Sequence, residues 1–237
     1  MNPAPARPAA AGRGCFVTGT DTGVGKTLCS VGLIHALRAQ GLRVAGMKPL
    51  AAGAEAHGDS WRNEDAVALQ KASEPRPEDG DVNPILLRTA TAPEIAAQLE
   101  RARVSPEQVD PAWHRLGASH DFVVVEGAGG WLSPLSDSWM QADVARRYQL
   151  PVVLVVGLRL GCINHALLSL RAIRADGLVP CGWLLSCVDA DLAHAEAYAE
   201  VLCSRIDAPL LGRLEHGADP AQAAESWHIE PILGLAR

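Results

Sequence analysis

A doubly wound, mostly parallel α/β domain is the fold this sequence predicts, and three observations carry that prediction. Unbroken apolar runs recur along the chain, among them Cys15-Phe16-Val17, Phe122 to Val125 and Val152 to Val156. Continuous rather than alternating apolar strands are covered on both faces, as parallel strands are. Stretches with apolar residues at helical spacing separate these runs, which gives the strand–helix alternation of an α/β sheet. Glycine and charge collect where the strands end, at 19–27, Lys48, 126–130 and 161–164. An open parallel sheet holds its ligand outside those ends.

The elements follow in order. Residues 15–18 make a first strand and 26–40 a helix, with Cys29, Leu33, Ala36 and Leu37 on one face and Gly41 to stop it. A second strand runs from Arg43 to Lys48 and ends at Pro49. Asn63 caps a helix to Ala72, and residues 75–91, rich in Pro and acidic groups, read as a surface loop. Helices are expected at 93–102 and 106–117, a buried strand over 122–126, and a helix over 138–148. A strand at 152–157, a helix at 164–176, a strand at 181–186, a helix at 192–206 and a last strand at 209–212 complete one domain without internal repeats. Residues 14–237 are expected to form that domain, and the Pro- and Ala-rich residues 1–13 a disordered lead-in without a signal-peptide core.

At 237 residues the chain suffices for one large core, and its net charge of -6 argues against a nucleic-acid partner. No apolar run reaches the length of a membrane span. The six cysteines form no C-x-x-C pair and read as small buried hydrophobes of a reducing, cytoplasmic compartment. The eight histidines lack metal spacing, and the six tryptophans read as packing residues.

The chemistry centres on Gly19-Thr20-Asp21-Thr22-Gly23-Val24-Gly25-Lys26-Thr27. Strand, glycine loop, Gly-Lys-Thr and helix is the order of a phosphate-cradling P-loop. Backbone N–H groups and the helix start face phosphate oxygens, the lysine neutralises them, and the threonine hydroxyl suits Mg²⁺. The spacing is unusual, because five residues rather than four separate Gly19 from Gly25. Only three of 21 basic residues are lysine, and two of them, Lys26 and Lys48, stand at strand ends where a compact ammonium can approach phosphate. Glu126 closes an apolar strand, so its carboxylate must be paired or metal-bound. With Thr27 and Asp65 it supplies the oxygen ligands that Mg²⁺ prefers. The small residues Gly127, Ala128 and Gly129 let a ligand approach the backbone. Gly161-Cys162-Ile163-Asn164 opens a helix whose free N–H groups form an anion site.

These residues resemble dethiobiotin synthetase in family order. The matching blocks are Phe16 to Thr22, Gly25-Lys26-Thr27, Lys48-Pro49, Asn63 to Ala66, Val125 to Trp131, Pro134 to Asp137, Gly161 to His165 and Ala208 to Gly212. They cover residues 15 to 212, and the combination is far more specific than the P-loop alone. The resemblance implies a P-loop NTPase-like fold and an ATP- and Mg²⁺-dependent ligase of biotin biosynthesis. Its substrates would be 7,8-diaminononanoate and CO₂, joined into the ureido ring through a carbamic-phosphoric anhydride. It implies nucleotide contacts at Gly23 to Leu28, Asp65, Glu126 to Gly129, Ser186, Cys187, Pro209, Leu210 and Leu211. Diamine contacts are implied at Thr22, Lys48, Ala52 and Gly161 to Asn164, the last four reaching a second subunit's site in a homodimer. Catalytic roles are implied for Lys48, Lys26 and Thr22.

Three positions depart from the family pattern. Gly23 stands where a glutamate is common, and Ala52 where a serine hydroxyl is expected. Ser186 replaces the asparagine that reads adenine, so the base preference stays open. Two other readings compete. A nucleotide-switch ATPase of the partition or iron-protein type usually carries a second lysine early in the loop, where this chain has Gly19-Thr20-Asp21. A cobyrinate-type amide synthase would bring a glutaminase domain, for which the chain is too short.

Overall fold

The computed structural model describes residues 13–58 and 60–236. Its elements are β1 (Gly14–Gly19), α1 (Lys26–Ala39), β2 (Val44–Met47), β3 (Leu50–Ala52), β4 (Glu55–His57), β5 (Ser60–Arg62), α2 (Glu64–Ala72) and α3 (Asp79–Val82). Next come β6 (Ile85–Leu87), α4 (Pro93–Glu100), α5 (Pro106–Ser119), β7 (Phe122–Gly130), β8 (Pro134–Ser136), β9 (Trp139–Met140) and α6 (Gln141–Arg147). The chain continues through β10 (Val152–Gly157), α7 (Cys162–Ala175), β11 (Pro180–Ser186), α8 (Ala195–Arg205), β12 (Leu210–Leu214), α9 (Pro220–Ala224) and α10 (Glu230–Leu235).

Six strands form the central sheet in the order β12-β11-β10-β1-β7-β2, and every neighbouring pair is parallel. The expected doubly wound architecture is the one found. The sheet is wound both ways from β1: β7 and β2 lie to one side, β10, β11 and β12 to the other. That reversal opens a crevice at the carboxyl end of β1, where the glycine loop begins. Burial on both faces follows from the strand period of two. Cys15 and Val17 pack with Cys29, Leu33 and Leu37 of α1, while Phe16 between them packs with Trp113 and Leu135 on the other side. A third apolar cluster, around Leu154, Val156 and Trp183, sits under α7 and α8.

The structure corrects several expectations. Residues 75–91 are not a plain surface loop. They hold α3 and β6, which pairs parallel with β3 and buries Ile85 and Leu87, so two apolar side chains outweigh a polar composition. The helix expected from 138 starts at Gln141, because Trp139 and Met140 pair with β8 and the Met140 N–H is taken by the Asp143 carboxylate at 2.8 Å. The start expected at 192 falls at Ala195, after a left-handed His194 with φ 63°. Strand β7 runs on to Gly130, so Glu126 lies inside it, in register with Val17, and does not close it. Cys203 is exposed, unlike the five other cysteines. Trp61 is 42% exposed, with Arg88 Cζ 4.6 Å above its ring, whereas the other five tryptophans are buried. Of the expected lead-in only Arg13 is described. It donates to the carbonyls of Ala236 and Leu233; residues 1–12 lie outside the described residues. Among the described residues no helix is long and apolar enough to cross a membrane.

Candidate active site

The loop from Gly19 to Gly25 leaves β1 and enters α1 at Lys26. Gly25 is required there on two counts. Its φ of 80° lies in the left-handed region, and a Cβ would stand 2.3 Å from Ser186 Oγ. Beneath the loop, Gly157 at the end of β10 leaves room for Val24, which a Cβ would meet at 2.8 Å. Lys26, in the first turn of α1, is buried and donates from Nζ to the Asp21 carbonyl at 2.8 Å. Burial, and then repulsion by Lys48, outweigh the attraction of Glu126, Asp65 and Asp21, and pull the Lys26 ammonium down to about 8.

Asn63 fixes the next group. Its Oδ1 accepts the N–H groups of Asp65 and Ala66 at 3.1 and 3.3 Å, capping α2, and its Nδ2 donates to the Gly53 carbonyl at 2.9 Å. The cap turns Asp65 toward α1 and brings the Ala52–Gly53 bend to the start of α2. Thr27 Oγ1 then lies 2.7 Å from Asp65 Oδ1 and 3.0 Å from Glu126 Oε1. Lys48 Nζ, just past β2, donates to Glu126 Oε1 at 2.5 Å, to Asp65 Oδ2 at 2.9 Å and to the Gly127 carbonyl at 3.3 Å.

Lys48 is 4% exposed and Glu126 fully buried. Burial alone would lower Lys48, but the two carboxylates together outweigh it and hold its ammonium above the ordinary lysine value. Asp65 is the mirror case: burial would raise it, and Lys48 and the Thr27 hydroxyl bring it below the usual carboxylate range. The chain around Lys48 is itself pinned, since its N–H reaches Val82 O at 2.7 Å and its carbonyl accepts Asn83 Nδ2 at 2.7 Å.

The three residues read as a Mg²⁺ set thus meet at one point. Glu126 Oε2, buried and without a hydrogen-bond partner, is the acceptor oxygen left over in that cluster. A hydroxyl and two carboxylates, one with an orphaned oxygen, fit a hard oxygen-seeking cation.

Other expected residues fall into place around this centre. Thr22 is exposed at the loop tip, and a Cβ on Gly129 would stand 3.6 Å from its Oγ1. Gly23 is open, and Leu28 is 49% exposed on the first turn of α1. Gly127, Ala128 and Gly129 line the last turn of β7, where the Ala128 N–H donates to Gln141 Oε1 at 3.1 Å. Ser133 Oγ accepts the Gly130 N–H at 2.9 Å. Gln141 had no signal in the sequence, since it acts through a backbone group 13 residues away that only the fold brings close, whereas Ser133 closes a local turn on Gly130.

Two expected groups are placed differently. Pro209, Leu210 and Leu211 lie at the amino end of β12, where Pro209 O accepts Trp183 N–H at 2.9 Å. The register pairs Ser186 with Leu214, so the part of β12 beside the glycine loop is Leu214 and the residues after it. Cys187, bonded through its N–H to Leu214 O at 2.8 Å, stays at the site. Cys162 is 1% exposed and packs with Leu154 and Val156, and its N–H goes to Arg159 O at 3.1 Å. The accessible start of α7 is therefore Gly161, Ile163 and Asn164.

A parallel sheet with a glycine loop, buried lysine and Thr-Asp-Glu cluster at its switch point defines a P-loop nucleotide-binding protein. The solved structures agree on the fold. The cell-division ATPase MinD of Pyrococcus furiosus superposes with TM-score 0.54 at 18% identity, covering 95% of this chain and 100% of that one. A ParA family ATPase from Chlorobium tepidum TLS gives TM-score 0.50 at 15% identity, covering 91% and 90%. A family model described as an AAA domain matches residues 13–223.

Sequence relatives are much nearer. The ATP-dependent dethiobiotin synthetase BioD of Xanthomonas oryzae pv. oryzae is 49% identical over 91% of this chain and 96% of its own length. Those of Xylella fastidiosa and Aromatoleum aromaticum are 48% identical over 90% and 92% of this chain, and 96% and 97% of their own lengths. The chain belongs to the ATP-dependent dethiobiotin synthetase family.

Proposed function

We propose that this chain closes the ureido ring of dethiobiotin from 7,8-diaminononanoate, CO₂ and ATP, in three chemical steps. One amine adds to CO₂ to give a carbamate. A carbamate oxygen attacks the γ-phosphorus of ATP, releasing ADP and leaving a carbamic-phosphoric anhydride. The second amine attacks the carbonyl, expels phosphate and closes the ring. The observation that carries this reading is the Lys48–Asp65–Glu126–Thr27 cluster beside Lys26 and the glycine loop. The family's 48–49% identity supports it.

The middle step brings two anions together, so the protein's work is positioning and charge neutralisation. The loop N–H groups from Gly23 to Leu28 hold the phosphates and Lys26 neutralises the outer ones. Lys48, charged because of its two carboxylates, meets the carbamate and the transferring phosphoryl group. Thr22, on the rim facing Gly129, orients the diamine, with the Ala52 bend on the other side. Thr27, Asp65 and Glu126 would hold Mg²⁺, which would neutralise phosphate charge. Gly23 carries no carboxylate and Ala52 no hydroxyl, so their share of substrate contact falls to backbone groups.

At the far end of the diamine, the Ile163 and Asn164 N–H groups at the start of α7 receive the substrate carboxylate, in the site of a second subunit of a homodimer. The base lies by Cys187 and the residues after Leu214. The pathway's small soluble metabolites make the cytoplasm its place of action. The test is direct: purified protein with the diamine, bicarbonate and ATP should release ADP only when all three are present, and form dethiobiotin by mass. ATP hydrolysis indifferent to the diamine would favour a nucleotide switch and end this reading.

A further inference from the structure

Asp21 makes three contacts that lead in three directions. Its Oδ1 accepts the Thr22 N–H at 2.7 Å, its carbonyl accepts Lys26 Nζ at 2.8 Å, and its Oδ2 accepts Arg159 Nη2 at 2.5 Å. The first contact sets the backbone at the diamine side of the loop, and the second sets the lysine at its phosphate side. The third crosses to another crossover connection, because Arg159 stands between β10 and α7, 138 residues further along the chain. Arg159 also acts through its own backbone: its carbonyl receives the Cys162 N–H at 3.1 Å, in the turn that opens α7. One arginine therefore holds the nucleotide loop with its side chain and the start of α7 with its carbonyl.

The pair is open to water, with side chains 37% and 50% exposed, and such a pair adds little to the stability of a fold. Its consequence is local geometry. Asp21 lies between Gly19 and Gly23, the latter at φ 70°, in a stretch whose backbone has few restraints of its own. A carboxylate released from Arg159 can turn off the Thr22 N–H, and the Lys26 perch on the Asp21 carbonyl shifts with it.

We propose that Arg159 is a positioning residue that, through Asp21, registers the nucleotide loop against the start of α7 and so fixes the distance between the nucleotide and diamine subsites. This rests on the proposed function, which takes those two ligands as the occupants. Four proteins test it: Arg159→Met, Arg159→Lys, Asp21→Asn and the Asp21→Asn/Arg159→Met double variant, each by steady-state kinetics in both substrates, thermal melting and calorimetric ATP binding. Arg159→Met should raise the KM of ATP and of the diamine together, by about fivefold to tenfold, with an unchanged melting temperature. Arg159→Lys, which keeps a cation in reach of Asp21, should stay within about twofold of the native protein. The double variant should be no worse than the poorer single one, because the two residues act as a unit. An Arg159→Met protein that binds ATP as tightly as the native one, a diamine KM that does not move, or effects that add would each overturn the role. Native protein that binds ATP but never turns over the diamine would overturn the reaction instead, and the calorimetry keeps the two failures apart.

Discussion

Replacing Lys48 by methionine tests the charge balance on which the site depends. The side chain keeps its length and apolar stem, but Glu126 and Asp65 lose ammonium contacts of 2.5 and 2.9 Å. Glu126 is fully buried, so its carboxylate is left in the interior without its paired ammonium, with only the Thr27 hydroxyl at 3.0 Å. Breaking a buried pair from one side costs about 3–5 kcal/mol. In a domain of this size each kcal/mol moves the melting temperature by roughly 2–4 °C, so a fall of about 10 °C is expected. Two further measurements isolate the cause. Adding Glu126→Gln to Lys48→Met removes the orphaned charge, and the double variant should recover about half of the lost stability. Millimolar Mg²⁺ should raise the melting temperature of Lys48→Met more than that of the double variant, because only the former keeps both carboxylates. Calorimetric melting with EDTA or Mg²⁺ reads all of this without reference to activity. An unchanged melting temperature for Lys48→Met, or strictly additive losses in the double variant, would show that Lys48 does not balance these carboxylates.

Three other expectations follow from the geometry. Lys26 gives up its proton near 8 in the folded protein, against 10.5 ordinarily. The stability cost of burying its ammonium is therefore complete below 8 and relieved as pH climbs toward 10.5. ATP binding has the opposite sense, since triphosphate needs the ammonium, and its KM should rise by up to about tenfold per pH unit above 8; a flat profile from 7 to 9.5 contradicts this. Ser186 is buried under Gly25 and cannot offer a base two-sided hydrogen bonding, so kcat/KM for ATP, CTP and GTP should agree within about tenfold. A preference for ATP beyond about 100-fold would mean that backbone at Cys187 or after Leu214 reads adenine. Gly161→Pro cannot adopt the φ of 94° at the start of α7, and should raise the diamine KM far more than that of ATP. Specific activity should also fall on dilution if that helix serves a second subunit; a fully active monomer would exclude the composite site.

The parts of this molecule that were legible in the sequence are those with local causes. Unbroken apolar runs mark β1, β7 and β10, and the glycine loop with its Gly-Lys-Thr marks the start of α1. Asn63 is a cap by its own chemistry, and Thr27, Asp65 and Glu126 could be grouped because hard oxygen donors at strand and helix ends have few other uses. The unread parts depend on long-range partners. Strands β4, β5, β8 and β9 are two or three residues long, too short for any periodicity. Ile85 and Leu87 form β6 only because β3 lies beside them. Arg159 is one arginine among many until the fold sets it against Asp21. Pro209 to Leu211 stand at the end of β12 away from the glycine loop, and a block carried over by resemblance says nothing about which end of a strand it occupies: in a parallel sheet the two ends lie on opposite sides of the domain.

The proposed reaction requires a carbamate oxygen of the substrate to attack the γ-phosphorus at this site. Single-turnover reaction of the protein with ATP, the diamine and ¹⁸O-labelled CO₂, quenched before the label washes into water, tests it most directly. The attacking oxygen bridges carbon and phosphorus in the anhydride and leaves with phosphorus when the second amine closes the ring. One ¹⁸O is expected in each phosphate released and one in the ureido carbonyl. Phosphate free of label, with dethiobiotin still formed, would contradict it.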